Sequence, residues 1–360
     1  MIALSDSKQT SASTFCAPDA REVVSAAAPA ALAEIVAAEL GRPAPAALEP
    51  MVAEIRRRHG AAVAAIVFYG SCLRKARDQV GDDALYEEGV LDFYVLVDSY
   101  RAAYESLPLA WANALLPPNV FYCHVDTGRR TLRAKYAVIS VDDFHRGASP
   151  AWLQSIIWAR FCQPALCVYV RDAAAMTAAV AAGVEAALTM VSMAVAQLPE
   201  APVRSEDLWQ RAFRETYAAE LRVESPEAIR TLYTANAARY DRVAVAALRG
   251  LERRGALRVA AGSGDDPGAE PGAALRVSMD PSRRRRLRTG WRVRRVLGKP
   301  LAAVRLVKSM VTFGDWLPYA LWKLERHTGV RIELTPWQRR HPWIACWPVF
   351  VRLLRQRVLR

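Results

Sequence analysis

The stretch from Ala61 to Asp98 constrains the fold more than any other part of the chain. Ala61–Tyr69 is a short apolar run that ends abruptly at Gly70-Ser71. Its length and its boundary predict a buried strand. After a polar gap, Val90–Val97 is a second apolar run, with a single acid, Asp92, near its start. A strand that runs into Gly-Ser, a helix after it, and a neighbouring strand that presents a carboxylate together define a compact α/β core.

The residue types suit phosphate chemistry. Gly70 lets a backbone come close to a bulky anion. Backbone N–H groups at the start of the next helix, with the Ser71 hydroxyl, can hold phosphate oxygens. Arg74 and Lys75 lie one turn further on and can offset phosphate charge. Asp92 can hold Mg²⁺ against that phosphate. This layout resembles nucleotidyltransferases of the polymerase-β type, which carry two carboxylates at alternate strand positions. Here Tyr94 occupies the second position. Asp98 shares that face but lies about 20 Å further along a strand that rises about 3.3 Å per residue. Asp82, Asp83, Glu87, Glu88 and Asp126 are the open candidates for a second acid.

Around this core, residues 1–20 read as disordered and 21–59 as helical, interrupted by Gly41–Pro45. The second helix, 46–59, is predicted to end on a Gly60 cap. Further strands are expected at 120–125, 133–140 and 165–170, with helices at 100–115, 150–162 and 173–197. The class is α/β (α+β), a mixed sheet with flanking helices, giving a first domain over 21–172. A helical domain follows over 173–258. Ser205 and Ser225 are predicted N-caps there, with Pro226 at the first helical position. Residues 259–282, rich in Gly, Pro, Asp and Ala, read as a linker or mobile loop.

The charge is unevenly spread. The net is +13, yet residues 283–360 hold 20 Lys and Arg against 3 acids, and the rest holds 29 against 33. A nearly neutral body therefore carries a strongly cationic C-terminal region, which wants a polyanion. Six cysteines without C-x-x-C spacing read as buried thiols in a reducing compartment rather than a zinc site or a disulfide framework. Ala173–Leu198 is the most membrane-like segment, but Glu185 sits in its middle, at a cost of about 2.5–3.5 kcal/mol at a bilayer centre. A buried helix is the better reading, and no transmembrane span is expected. The five histidines are scattered and read as structural or surface residues.

Beyond the Gly-Ser motif, a series of blocks stands in a definite order. They are Tyr69-Gly70-Ser71, Leu91-Asp92-Phe93 with Val97-Asp98, and Asn119-Val120-Phe121-Tyr122. Next come Lys135-Tyr136-Ala137-Val138-Ile139-Ser140, then Trp152, Arg160 and Pro164. Leu198-Pro199-Glu200, Ser205–Leu208 and Tyr217–Arg222 complete the series. Through these blocks the chain resembles the mitochondrial-type phosphatidate cytidylyltransferases, also called translocator assembly and maintenance proteins, over about 60–245. Cys72 and Ala137 depart from that family, which tends to have Gly at both places. The resemblance implies a nucleotidyltransferase-type fold and a Mg²⁺-dependent reaction of CTP with phosphatidate, giving CDP-diacylglycerol and pyrophosphate. It implies nucleotide binding by Tyr69, Gly70, Ser71, Arg74 and Lys75, catalysis by Asp92 and Lys135, and metal binding by Asp92. Arg160 and Arg222 are further candidates for the substrate phosphate. The alternatives are another acceptor (RNA, protein or a small alcohol) and an inactive domain serving as a membrane scaffold.

An enzyme with a lipid substrate and no span must reach the bilayer from outside. Residues 301–313 form an amphipathic pattern, with Arg305, Lys308, Ser309 and Thr312 on one side and Val304, Leu306, Val307, Met310, Val311 and Phe313 on the other. Cations flank it, as do Trp316 and later tryptophans, the composition of an interfacial binder. The predicted membrane-binding residues are Arg292, Arg294, Arg295, Arg305, Lys308, Phe313 and Trp316. Arg and aromatic residues also suit single-stranded RNA, but no RNA-binding module accompanies them, and DNA is not expected. The Ala- and Arg-rich composition and an N-terminus that is not Arg-rich point to a bacterial protein on the cytoplasmic face of the inner membrane.

Overall fold

The computed structural model describes residues 30–78, 89–128, 131–200, 202–220, 224–260 and 274–312, with Thr335 and Trp337; the side chains of 75–78, 310 and 311 are outside that description. Two helices come first, α1 (Ala30–Leu40) and α2 (Glu49–His59). α2 ends where Gly60 takes a φ of 57°, a backbone that glycine adopts without strain. β1 (Val63–Tyr69) follows and runs into α3 (Ser71–Asp78).

The remaining strands of the main sheet are β2 (Leu91–Val97), β3 (Asn119–Asp126), β4 (Thr131–Ser140) and β5 (Ala165–Val170), in the order β3-β4-β2-β1-β5. β2 and β4 are parallel and the other neighbours antiparallel, so the sheet is mixed. Side chains alternate between its faces. Ile66, Phe68, Phe93 and Val95 bury one face under Met51 and Ile55 of α2. Val67, Tyr94, Leu96 and Ile139 bury the other among a larger helical core.

Short helices connect these strands: α4 (Tyr100–Ala103), α5 (Leu107–Leu115), α6 (Val141–Ala148) and α7 (Trp158–Phe161). The single helix expected at 100–115 is thus two, because Pro108 starts a new turn. The helix expected at 150–162 shrinks to the four residues of α7. α6 was not anticipated, although Ser140 caps it by accepting from Asp143 N at 3.2 Å. The apolar run of β4 continues into Val141 and hides that boundary.

α8 (Ala173–Val195) is the centre of the larger core. Among the described residues it is the one helix long and apolar enough to cross a membrane, and 83% of its most apolar window is buried inside the protein. Its small side chains admit close neighbours: a Cβ on Gly183 would lie 2.8 Å from Val36. Glu185 is matched by Arg254 at 2.8 Å. After it come α9 (Ser205–Ala219), α10 (Pro226–Thr234) and α11 (Ala237–Arg253). Ser225 caps α10 as expected, accepting from Ala228 N at 3.1 Å. Ser205 is instead the first residue of α9, with Arg204 at the cap.

Part of the expected linker is ordered. β6 (Pro202–Val203), β7 (Arg258–Val259) and β8 (Leu275–Ser278) form a small sheet in the order β6-β8-β7. Residues 261–273 lie outside the described residues. The final helix, α12 (Pro281–Thr312), is 32 residues long. Among the described residues, Cys72, Cys123, Cys162 and Cys167 are buried and form no disulfide. Burial pushes Cys162 and Cys167 up to about 12, which keeps them protonated and inert.

Candidate functional site

The strand register builds the floor of a cleft. Tyr122 on β3, Lys135 on β4, Asp92 on β2 and Tyr69 on β1 are successive cross-strand neighbours, so they form one row across the sheet. The cleft above this row has a volume of about 210 Å³ and is lined by Tyr69, Gly70, Ser71, Arg74, Asp92, Lys135 and Arg160. Seven residues singled out from sequence, spread over more than ninety positions, therefore meet in one place. The opposite wall is made by Ala159 of α7 and Gln163 just after it, and by Phe213, Thr216, Tyr217 and Glu220 towards the end of α9.

Gly70 has a φ of 92°, and a Cβ there would lie 3.0 Å from Asp92 Oδ2. The turn needs glycine for both its backbone and its closeness to the carboxylate. Ser71 opens α3, is exposed and lines the cleft, so the N-terminal turn of that helix adjoins it. Arg74 follows one turn on, its N–H donating to Gly70 O at 3.2 Å. Lys75's side chain lies outside the described residues, as does Arg222.

Two ion pairs set the electrostatics. Lys135 Nζ lies 3.3 Å from Asp92 Oδ1. Arg160 lies 3.6 Å from Glu220 Oε1, and its guanidinium also donates to Ile156 O at 2.8 Å. Burial pulls Arg160 towards neutrality, but Glu220, then Tyr94, Tyr69 and Asp92, outweigh it, and its pKa is raised. The Tyr69 hydroxyl is pushed well up by burial and by Asp92 beside it. Tyr69 is therefore a neutral hydrogen-bonding group at neutral pH.

The place of a second strand carboxylate is filled by core. Tyr94 is buried and packs edge-on against Phe161, with ring centroids 4.9 Å apart, and near Phe144 and Tyr69. Asp98 is engaged at the far end of β2 by Arg171, at 2.6 Å. Asp126 is four residues along β3 from Tyr122, exposed, and accepts from Gly128 N. Neither shares the floor with Asp92. Asp82, Asp83, Glu87 and Glu88 lie outside the described residues. Among the described residues no group of three His, Cys, Asp or Glu side chains converges on one point. Asp92 nevertheless fits a Mg²⁺ ion that arrives with a triphosphate. It is partly accessible, and the space an alanine Cβ would fill at residue 70 adjoins its Oδ2. Mg²⁺ commonly binds through one or two carboxylates plus substrate phosphates and water.

Glu220, Thr216, Phe213 and Gln163 were not singled out from sequence. Glu220 lies within the Tyr217–Arg222 block, so that block was the available signal. His59 is structural: its Nδ1–H donates to Ala103 O at 3.0 Å inside an aromatic cluster with Tyr104, Phe121 and Tyr136, while His124 and His145 are exposed and His327 and His341 lie outside the described residues.

α12 differs from expectation in its orientation. Arg294, Arg305 and Lys308, expected to face a membrane, turn inward, although the helix also exposes Arg285, Arg286, Arg288 and Lys299. Arg294 is buried and donates to Pro150 O and Trp152 O, at 2.6 and 2.9 Å. Arg295 pairs with the buried Glu215 of α9. Arg305 donates to Pro117 O, and Lys308 to Leu116 O and to Pro118 O at 2.9 Å. Burial and the nearby Arg305 pull Lys308 down to about 7. The Arg305 and Lys308 head groups are thus taken up by carbonyls of the loop after α5. The apolar side faces out: Val304 is 57% and Val307 63% exposed. Arg292 is exposed, while Phe313 and Trp316 lie outside the described residues. No family model and no curated protein matches the chain.

Proposed function

We propose that this chain is a nucleotidyltransferase-type enzyme that condenses CTP with phosphatidate, giving CDP-diacylglycerol and pyrophosphate at an anionic membrane surface. One observation carries the reading. The Gly70-Ser71 turn, the Asp92 carboxylate and the cations Lys135 and Arg160 line a single cleft. The block order that resembles the mitochondrial-type phosphatidate cytidylyltransferases supports the choice of nucleotide and acceptor.

In this reading the first turn of α3 and the Ser71 hydroxyl hold triphosphate oxygens, with Arg74 offsetting their charge. Asp92 would hold Mg²⁺, which supplies charge neutralisation and orientation for the triphosphate. An acceptor phosphomonoester is already anionic at neutral pH and needs no general base. It needs its repulsion from the triphosphate screened. Lys135, released from Asp92, and Arg160 carry the charges for that. An oxygen of the acceptor phosphate attacks the α-phosphorus of CTP. The bond from that phosphorus to the bridging oxygen breaks, and pyrophosphate leaves. The outward apolar side of α12, with exposed Arg285, Arg286, Arg292 and Lys299 along the same helix, supports peripheral docking on anionic lipid.

The test is transfer of label from CTP to a lipid-soluble product on phosphatidate vesicles with Mg²⁺. Asp92→Asn is expected to lower turnover by about 100-fold or more, and Ser71→Ala to weaken CTP binding. Full Mg²⁺-dependent turnover by Asp92→Asn would refute the site.

A further inference from the structure

We propose that α5 is a second membrane-inserting element, whose Leu107, Trp111 and Leu115 enter an anionic bilayer beside the outer side of α12. These three residues are spaced four apart, so they lie along one side of the helix. They are 49%, 73% and 87% exposed. The whole helix, Leu-Pro-Leu-Ala-Trp-Ala-Asn-Ala-Leu, carries no charge. An exposed, uncharged stripe of large apolar side chains on a soluble surface marks an interaction site.

The stripe is held rigidly from behind. On the opposite side of α5, Asn113 is fully buried and donates to Tyr104 Oη and Val138 O, both at 2.9 Å. It also accepts from Asn119 N at 2.7 Å. The end of the helix is clamped by α12: Lys308 donates to Leu116 O and Pro118 O, and Arg305 to Pro117 O. Leu115 and Val307 are each one residue in sequence from that clamp, which seats α12 against the loop that follows α5.

Charge selects the occupant. Residues 281–312 contain no acid and expose Arg285, Arg286, Arg292 and Lys299. A second copy of this chain would bring the same cations and be repelled. A bilayer with anionic headgroups supplies both an apolar interior and the countercharge, and Trp favours its interface. The inference rests on the membrane part of the proposed function but not on its chemistry, since vesicle binding needs no CTP.

The experiment is co-sedimentation of the full chain with phosphatidylcholine vesicles, with and without phosphatidate, for the wild type and Trp111→Ser/Leu115→Ser. Both residues are exposed, so the fold should persist, and its thermal transition is recorded alongside. The double variant is expected to lose at least about tenfold in partitioning onto phosphatidate vesicles. It should keep its turnover of short-chain phosphatidate in solution. Brominated lipid should quench wild-type fluorescence more than that of Trp111→Phe. Unchanged partitioning would overturn the proposal. So would an oligomer, present without lipid, that the double variant abolishes while vesicle binding persists. Loss of partitioning in a chain that transfers no label would keep this inference and sink the catalytic one.

Discussion

Replacing Gly70 with alanine isolates the contribution of the turn that brings α3 to Asp92. Two costs arise. A left-handed backbone costs an L-residue about 1–2 kcal/mol. Gly70 has a φ of 92°, and its new Cβ would also sit 3.0 Å from Asp92 Oδ2, so the carboxylate must move by a few tenths of an ångström. Gly255 provides the control. It has a φ of 65° but a Cβ there meets nothing within 4 Å, and its N–H donates to Glu252 O at 2.8 Å in a helix-ending turn. Gly255→Ala should therefore lose about 1 kcal/mol of stability and no activity. Gly70→Ala should lose a similar or somewhat larger amount, and in addition bind Mg²⁺ and CTP at least about tenfold more weakly, an effect of ~1.4 kcal/mol. Thermal unfolding and calorimetric titration of CTP with Mg²⁺ measure the two costs separately. Equal nucleotide affinity in both variants would refute the role given to the close approach of residue 70 and Asp92.

Three further outcomes are expected. Arg239 is buried and holds Glu39 through two bonds of 2.8 and 2.9 Å, so Arg239→Met should cost about 3–5 kcal/mol by stranding the carboxylate, measured by denaturant unfolding. Hydrogen bonding from Arg57, with a smaller contribution from Arg58 and against the pull of burial, holds Glu54 down at about 2. Its stabilising contribution is present above its unfolded pKa of about 4.5 and is lost as pH falls towards 2, so Glu54→Gln should flatten that part of the stability profile. Gly298 packs so tightly that a Cβ would lie 2.4 Å from Ala219 O, and Gly298→Val should therefore loosen α12 from α9, seen as faster amide exchange over both helices.

The sequence was most legible where one periodicity ran uninterrupted between turn residues. β1, β2 and β5 fall within a residue or two of their apolar runs, and α8 follows from its length and its single charge. Boundaries failed where two apolar elements abut, as at Ser140, where strand and helix join without a polar break. The site residues on the sheet were legible because the Gly-Ser turn and Asp92 announce themselves by residue type. The α9 wall was not, because Glu220 and Thr216 acquire meaning only when tertiary packing turns their helix towards Asp92. The orientation of α12 was legible as a pattern but not as a direction. A helical stripe separates polar from apolar side chains, yet it does not say which side meets the protein. Here the carbonyls of Leu116, Pro117 and Pro118 accept from Arg305 and Lys308 and hold that side of the helix inward.

α9 ties these two readings together. Successive turns of this helix offer Thr216, Tyr217 and, just past its end, Glu220 to the cleft. From the same turns Glu215 reaches Arg295, and Ala219 receives Gly298 of α12. Glu215 is almost fully buried and also takes Arg211 at 3.1 Å, so this contact is a fixed part of the core rather than a loose surface pair. A helix packed this closely cannot shift towards α12 without moving Glu220, which pairs with Arg160 at the cleft. In the proposed function, the helix whose outer side would meet lipid and the cation that would meet the acceptor phosphate are therefore linked through one rigid element, a few side chains thick.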